Sequence, residues 1–188
     1  PGNFPTVIGV GATDKFDVRA SFSCTGPAPD EYPWSEPVFW PRPDWNRMAV
    51  DLMAPGMSTY GPIEPSGIIS ADRNNPVGYR SLFGTSQATP HVSGAIALMQ
   101  EAAIATFGHK LNYYDLFDIL VESANPANQT VPNFDYGWGR LDCKAAVDSV
   151  INYRMKSSSD LALTNTSQHK LAFDPFQQVI HMVYQTAD

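Results

Sequence analysis

"SLFGTSQATPHVSGAIALM", residues Ser81 to Met99, decides how the fold is read. A small glycine-flanked turn runs into a long apolar stretch, and two hydroxyls, Thr85 and Ser86, sit at the junction. Pro90 has no N–H and clashes with the preceding turn, so it is tolerated near a helix start. That places a helix onset close to Ser86, at or next to the N-cap. Unpaired backbone N–H groups and the positive end of the helix dipole converge there. Such a spot favours a developing oxyanion, because the donors are already aimed. Gly84 leaves room for another backbone to approach the hydroxyl. Behind Ser86, residues Ala88, Val92, Ala95, Ile96, Ala97, Leu98, Met99, Ala102 and Ala103 are apolar nearly all round. That is the pattern of a helix buried in a core, and a buried helix is a rigid mount for a nucleophile. The plainer reading of Ser86 is a capping serine, which is common at helix starts.

The 188 residues suffice for one sizeable domain, or one domain and the start of another. Hydrophobic residues are 43% of the chain, enough for a core, while charged residues are only 16% and the formal net charge is −7. An acidic chain without a Lys/Arg run is a poor partner for nucleic acid or an anionic membrane. No apolar run approaches the roughly 18 residues of a bilayer span; the longest, Gly94 to Met99, stops at Gln100 and Glu101. The chain opens at Pro1 with no signal peptide, as expected of a mature or truncated product. Cys24 and Cys143, the only cysteines, either pair or stay as buried free thiols. No Cys/His spacing suggests a zinc site.

Thr6 to Ala12, β-branched and apolar, reads as a short buried strand, and Arg19 to Ser23 as a second. Cys24 to Asn46 is rich in Pro and Trp; its prolines forbid regular structure and predict an ordered surface loop packed by its own aromatics. Trp34, Trp40 and Trp45 either staple that loop or offer a ligand surface. Met48 to Ala54 resumes as a strand that Pro55-Gly56 ends. A hairpin is expected around Asn74, Asn75 and Pro76. The long helix should reach Phe107, with Gly108 as terminator. A second helix is expected from Asn112 to about Ala124, and a third from Cys143 to about Asn152. Beyond, "KSSSD" is linker-like, and "KLAFDPFQQVIHMVYQ" reads as two strands about a turn at Asp174-Pro175. The division is therefore 1–152 as one unit and 153–188 as a linker plus the start of an appended β-rich region.

The string Gly84, Thr85, Ser86, Gln87, Ala88, Thr89, Pro90, His91, Val92, Ser93, Gly94 closely resembles the nucleophile motif of the subtilisin-like serine proteases, the subtilases. It is not the Gly-x-Ser-x-Gly elbow of the α/β-hydrolases, because Ala stands at 88. "DLMAPG" (Asp51 to Gly56) and "YGWGRLDCKAAV" (Tyr136 to Val147) resemble two further family segments, and "PGNFPTVIGVGATD" resembles the strand after the substrate pocket. The resemblance covers residues 1 to about 150 and implies the C-terminal half of the catalytic domain. The implied fold is α/β: part of a three-layer subtilisin-like architecture with a parallel sheet and a central buried helix, followed by a short β-rich tail. The implied function is peptide-bond hydrolysis through an acyl-enzyme on Ser86, in a secreted or extracytoplasmic enzyme acting on a peptide or protein substrate.

A serine alcohol is a weak nucleophile until a base takes its proton. In the family the Asp and His that do this lie upstream of the first strand seen here, so the partner this chain needs is the missing N-terminal half of its domain. Local histidines are poor substitutes. His91 lies five residues past Ser86, about 140° away around a helix, and His109 is roughly 30 Å down the axis. His91 reads as a packing or hydrogen-bonding residue, and Asp51 as an anchor for a loop; Asp14, Asp17 and Asp72 also lie near turns. No cofactor is required for the chemistry. The resemblance implies a possible structural Ca²⁺ or Na⁺ on the backbone carbonyls of Gly2, Phe4 and Val7. Asn128 and Asn165 sit in glycosylation sequons. The competing function is a non-catalytic subtilase-like module that binds a peptide or protein partner. On either reading the isolated chain should not hydrolyse peptides and should expose an apolar edge, because a parallel sheet needs both faces covered.

Overall fold

The computed structural model describes residues 2–45, 47–58, 67–157, 170–174 and 179–183. Two short strands, β1 (Val10–Thr13) and β2 (Leu52–Pro55), pair in parallel with Val10 opposite Leu52 and Thr13 opposite Pro55. Both begin later than the alternation suggested. Residues Gly2 to Val7 form turns, and Asp51 enters β2 as an anchor rather than a strand residue. The return segment Trp138–Leu141 runs along the far side of β2, where the Met53 N–H donates to the Gly139 carbonyl at 2.8 Å and the Leu141 N–H to the Met53 carbonyl at 2.8 Å. Arg19 to Ser23, expected as a strand, is not one. It turns back along β1 through a single antiparallel bridge between Thr13 and Arg19. The Ser23 hydroxyl accepts the Ala12 N–H at 3.0 Å, so a side chain takes the place of a ladder bond.

The helix α1 (Thr85–Phe107) lies across the β1–β2 pair. The contact is made of small side chains: Ala12 and Ala54 on the strands meet the Ala88, Val92 and Ala95 stripe of α1 in one buried cluster. Met99 and Ala103 carry the same stripe on towards α2 (Tyr113–Glu122) and α3 (Cys143–Ser157). Only this stripe is buried. Leu98 and Ile104, on the outer side of α1, are 49% and 47% exposed, so the helix is not enclosed all round by the described residues. Gly108 ends α1 in the left-handed conformation (φ 79°), its N–H returning to the Ile104 carbonyl at 2.9 Å. Asn112 caps α2, its side chain accepting from Asp115 N–H at 3.0 Å, and Leu116, Phe117, Ile119 and Leu120 turn inward.

The Pro/Trp-rich loop is ordered, with two 3-10 turns at Pro37–Phe39 and Pro43–Trp45. Trp40 is buried and its indole N–H donates to the Trp34 carbonyl at 2.9 Å. Arg42 ties the loop to α2 through Asp118 at 2.8 Å and Glu122 at 3.0 Å. Here the aromatics do staple the loop, although Trp45 stays 42% exposed. The expected hairpin is β3 (Ile68–Ala71) against β4 (Tyr79–Leu82), antiparallel, with Asp72 to Gly78 as its turn. Strands β5 (Lys170–Asp174) and β6 (Val179–Val183) form a second antiparallel hairpin. The third helix runs five residues past the expected Asn152, to Ser157. Both cysteines are free, and Cys24 is exposed rather than buried. Asn165 lies outside the described residues; Asn128 is exposed, on a turn at φ 59°.

Candidate active site

The start of α1 is held by a glycine contact. The Gly84 N–H donates to the Gly56 carbonyl at 2.9 Å, so the helix begins where β2 ends. Gly56 has no room for a side chain. A Cβ on Gly56 would lie 2.5 Å from Ala12 Cβ and 2.8 Å from the Gly84 oxygen. Gly84 itself sits at φ 146°, which side chains resist.

Gly84, not Ser86, is the N-cap, and it offers no capping side chain. Thr85 is the first helical residue and Ser86 the second. The Gly84 carbonyl accepts the N–H groups of Gln87 at 3.0 Å and Ala88 at 3.3 Å. The N–H groups of Thr85 and Ser86 take no partner among the described residues. Ser86 is exposed, and its hydroxyl makes no hydrogen bond among those residues. The capping reading of this serine is therefore set aside: an unbonded hydroxyl stands beside unbonded donors at the positive end of a 23-residue helix.

Pro90 lies further inside the helix than its chemistry prefers, as the sixth residue. It removes the N–H that would return to the Ser86 carbonyl. The buried stripe holds the helix through that gap. His91 points its Nδ1 to the Gln87 carbonyl at 2.9 Å and is occupied there. His109 stacks on Phe107 at the far end of α1. Neither of these two imidazoles reaches Ser86.

The carboxylates are structural. The Asp51 Oδ2 accepts the Gly9 N–H at 2.7 Å, 4% exposed, and burial pushes its carboxyl up to about 7 against the pull of that bond. Tyr113 is raised to about 12 by burial and then by the Asp51 charge. Asp14 accepts the N–H groups of Phe16 and Val18, Asp17 pairs with Arg140 at 2.6 Å, and Asp72 caps the hairpin turn through Asn74 N–H at 3.0 Å. No group of three or more His, Cys, Asp or Glu among the described residues is placed to hold a metal. In the turn from Gly2 to Val7 the Phe4 carbonyl already accepts the Val7 N–H at 3.2 Å, and the Gly2 oxygen faces Gly9. A cation there would rest on the remaining lone pairs and on water.

Sequence reasoning did not single out the cleft next to the helix start, of about 280 Å³, formed by the β3–β4 hairpin and Gln87. Its residues are brought together by strand register, which short exposed strands do not announce.

The same arrangement of helix and strands occurs in proteases. The solved structure of the prenylagaramide maturation protease PagA superposes with a TM-score of 0.56 at 28% identity, over 80% of this chain and 44% of that one. Subtilisin DY of Bacillus licheniformis is 35% identical over 146 residues, 78% of this chain and 39% of the relative. The extracellular basic protease of Dichelobacter nodosus is 31% identical over 153 residues, 80% of this chain and 21% of the relative. These describe a subtilisin-like α/β fold. The Subtilase family profile matches residues 1–139, and the chain belongs to that family. It spans less than half the length of each of these relatives.

Proposed function

We propose that this chain supplies the nucleophile half of a subtilisin-like serine endopeptidase. Ser86 attacks the carbonyl carbon of a peptide bond. Its proton passes to a histidine on an upstream segment carrying the Asp and His motifs, and from there to the leaving amine. Water then hydrolyses the acyl-enzyme by the same route. The Ser86 N–H is one oxyanion donor. The observation that carries this reading is the exposed Ser86 hydroxyl, which has no hydrogen bond among the described residues, beside two N–H groups with no partner among them, on a helix seated on the parallel strands. Neither His91 nor His109 is in reach of Ser86, and the isolated chain is expected to be inactive. The substrate is a peptide or protein, and the extracellular relative supports action outside the cytoplasm. No cofactor takes part in the chemistry; a structural Ca²⁺ or Na⁺ would sit on the carbonyls of Gly2, Phe4 and Val7.

A fluorophosphonate probe tests this directly. The full-length protein is expected to label at Ser86 and to lose labelling in Ser86→Ala, while the isolated chain stays unlabelled. A folded full-length protein that does not label is instead a peptide-binding module without a working triad.

A further inference from the structure

The cleft at the start of α1 has a chemistry of its own. It is bounded by the β3–β4 hairpin on one side and by Gln87, the neighbour of Ser86, on the other. Register pairs Ile68 with Leu82 and Ser70 with Arg80. Strand residues two apart share a face, so Ile68, Ser70, Arg80 and Leu82 form one surface, and all four line the cleft. Leu82 lies two residues before the N-cap Gly84, so the apolar pair is at the helix end. Arg80 stands about 7 Å further out along the strand, and Arg73 lines the cleft from the hairpin turn.

Neither arginine has an ion-pair or hydrogen-bond partner among the described residues. Arg19, Arg42, Arg47 and Arg140, by contrast, each hold a carboxylate. The chain as a whole carries a formal charge of −7, so two unclaimed guanidinium groups on one cleft stand out. One carboxylate, Asp72, shares the cleft, and its Oδ1 is engaged by the Asn74 N–H at 3.0 Å. Among the described residues, two cations against one anion give the cleft lining a net positive charge.

We propose that this cleft is an acid-selective subsite of the peptidase. It takes a glutamate side chain of the peptide substrate, with the methylenes on Ile68 and Leu82 and the carboxylate on Arg80 and Arg73. The apolar stretch before the cations favours Glu over the shorter Asp. Guanidinium groups suit a carboxylate because their forked donors match its two oxygens. This rests on Ser86 being the nucleophile.

The test uses the full-length protein and peptides in which Glu, Asp, Gln or Lys is walked through the positions flanking the scissile bond. At one position on one side, kcat/KM is expected to be about three- to fivefold higher for Glu than for Gln, the size of a solvent-exposed charge pair, with Asp between them. The gain should lie in KM and shrink in 0.5 M salt as screening shortens to about 4 Å. Arg80→Gln and Arg73→Gln should each reduce the gain, the double variant should abolish it, and Arg80→Lys should keep part of it. Correct folding of each arginine variant is read separately, from a melting temperature that matches the parent's. Equal rates for Glu and Gln at every position, or a Glu preference that survives the double variant, would overturn the subsite and leave Ser86 in place. Neutral-peptide cleavage that is absent, or that persists in Ser86→Ala, would overturn the nucleophile assignment and the subsite with it.

Discussion

Ser86 and Asp51 show opposite uses of a polar side chain. Ser86 is exposed and makes no hydrogen bond among the described residues, whereas Asp51 accepts a backbone N–H inside the core. The buried carboxyl has a measurable consequence. Its pKa is about 7 in the folded protein against 3.8 otherwise, so the folded state holds a proton that the unfolded chain has released between those values. Its contribution is fully present below about pH 4 and is lost as pH rises to 7, with a slope of up to about 1.4 kcal/mol per pH unit. Asp51→Asn keeps an oxygen for Gly9 N–H and cannot ionise. In the full-length protein the melting temperature of Asp51→Asn, relative to the parent, is therefore expected to rise steadily from pH 4.5 to 7; parallel curves would refute the assignment. Asp51 was expected to anchor a loop through backbone hydrogen bonds, and it accepts the Gly9 N–H. The neighbouring Tyr113 was not legible in the sequence, because it meets Asp51 only through the fold.

At the scale of elements, α1 and the hairpin were the most legible parts of the chain. Glycine at both ends and a continuous apolar stripe delimit α1, and a turn-rich centre delimits the hairpin. The strand ends were less so. β1 starts at Val10 rather than Thr6, and Arg19 to Ser23 makes turns, because parallel pairing is set by a partner some forty residues away. Pro90 inside the helix also ran against local preference, and tertiary packing overrode it. Helix and strand meet at Gly56. Gly56→Ala would drive a methyl into Ala12 and the Gly84 carbonyl. Overpacking of this kind costs about 1–3 kcal/mol. The expected result is a melting point several degrees lower together with slower fluorophosphonate labelling. A surface Ala substitution of similar cost, such as one on α2, should lower the first and spare the second.

For the molecule as a whole, the described residues bury one stripe of α1 and leave Leu98 and Ile104 about half exposed. The hairpin adds Ile69, Val77 and Tyr79, at 64%, 88% and 80% exposure. Apolar surface on this scale is what an absent half-domain would cover. The isolated chain is expected to bind an apolar dye strongly and to melt broadly, and co-expression with the upstream segment should remove the dye signal and sharpen the transition. A monomeric isolated chain with a sharp two-state melt would show that it needs no such cover.

The clasp between Gly84 and Gly56 closes a long excursion of the backbone at its neck. The hairpin Ile68–Leu82 lies between those two glycines in the chain, so it could be exchanged for another without displacing the serine. A family built this way can revise which side chains it reads while its chemistry stays where it is.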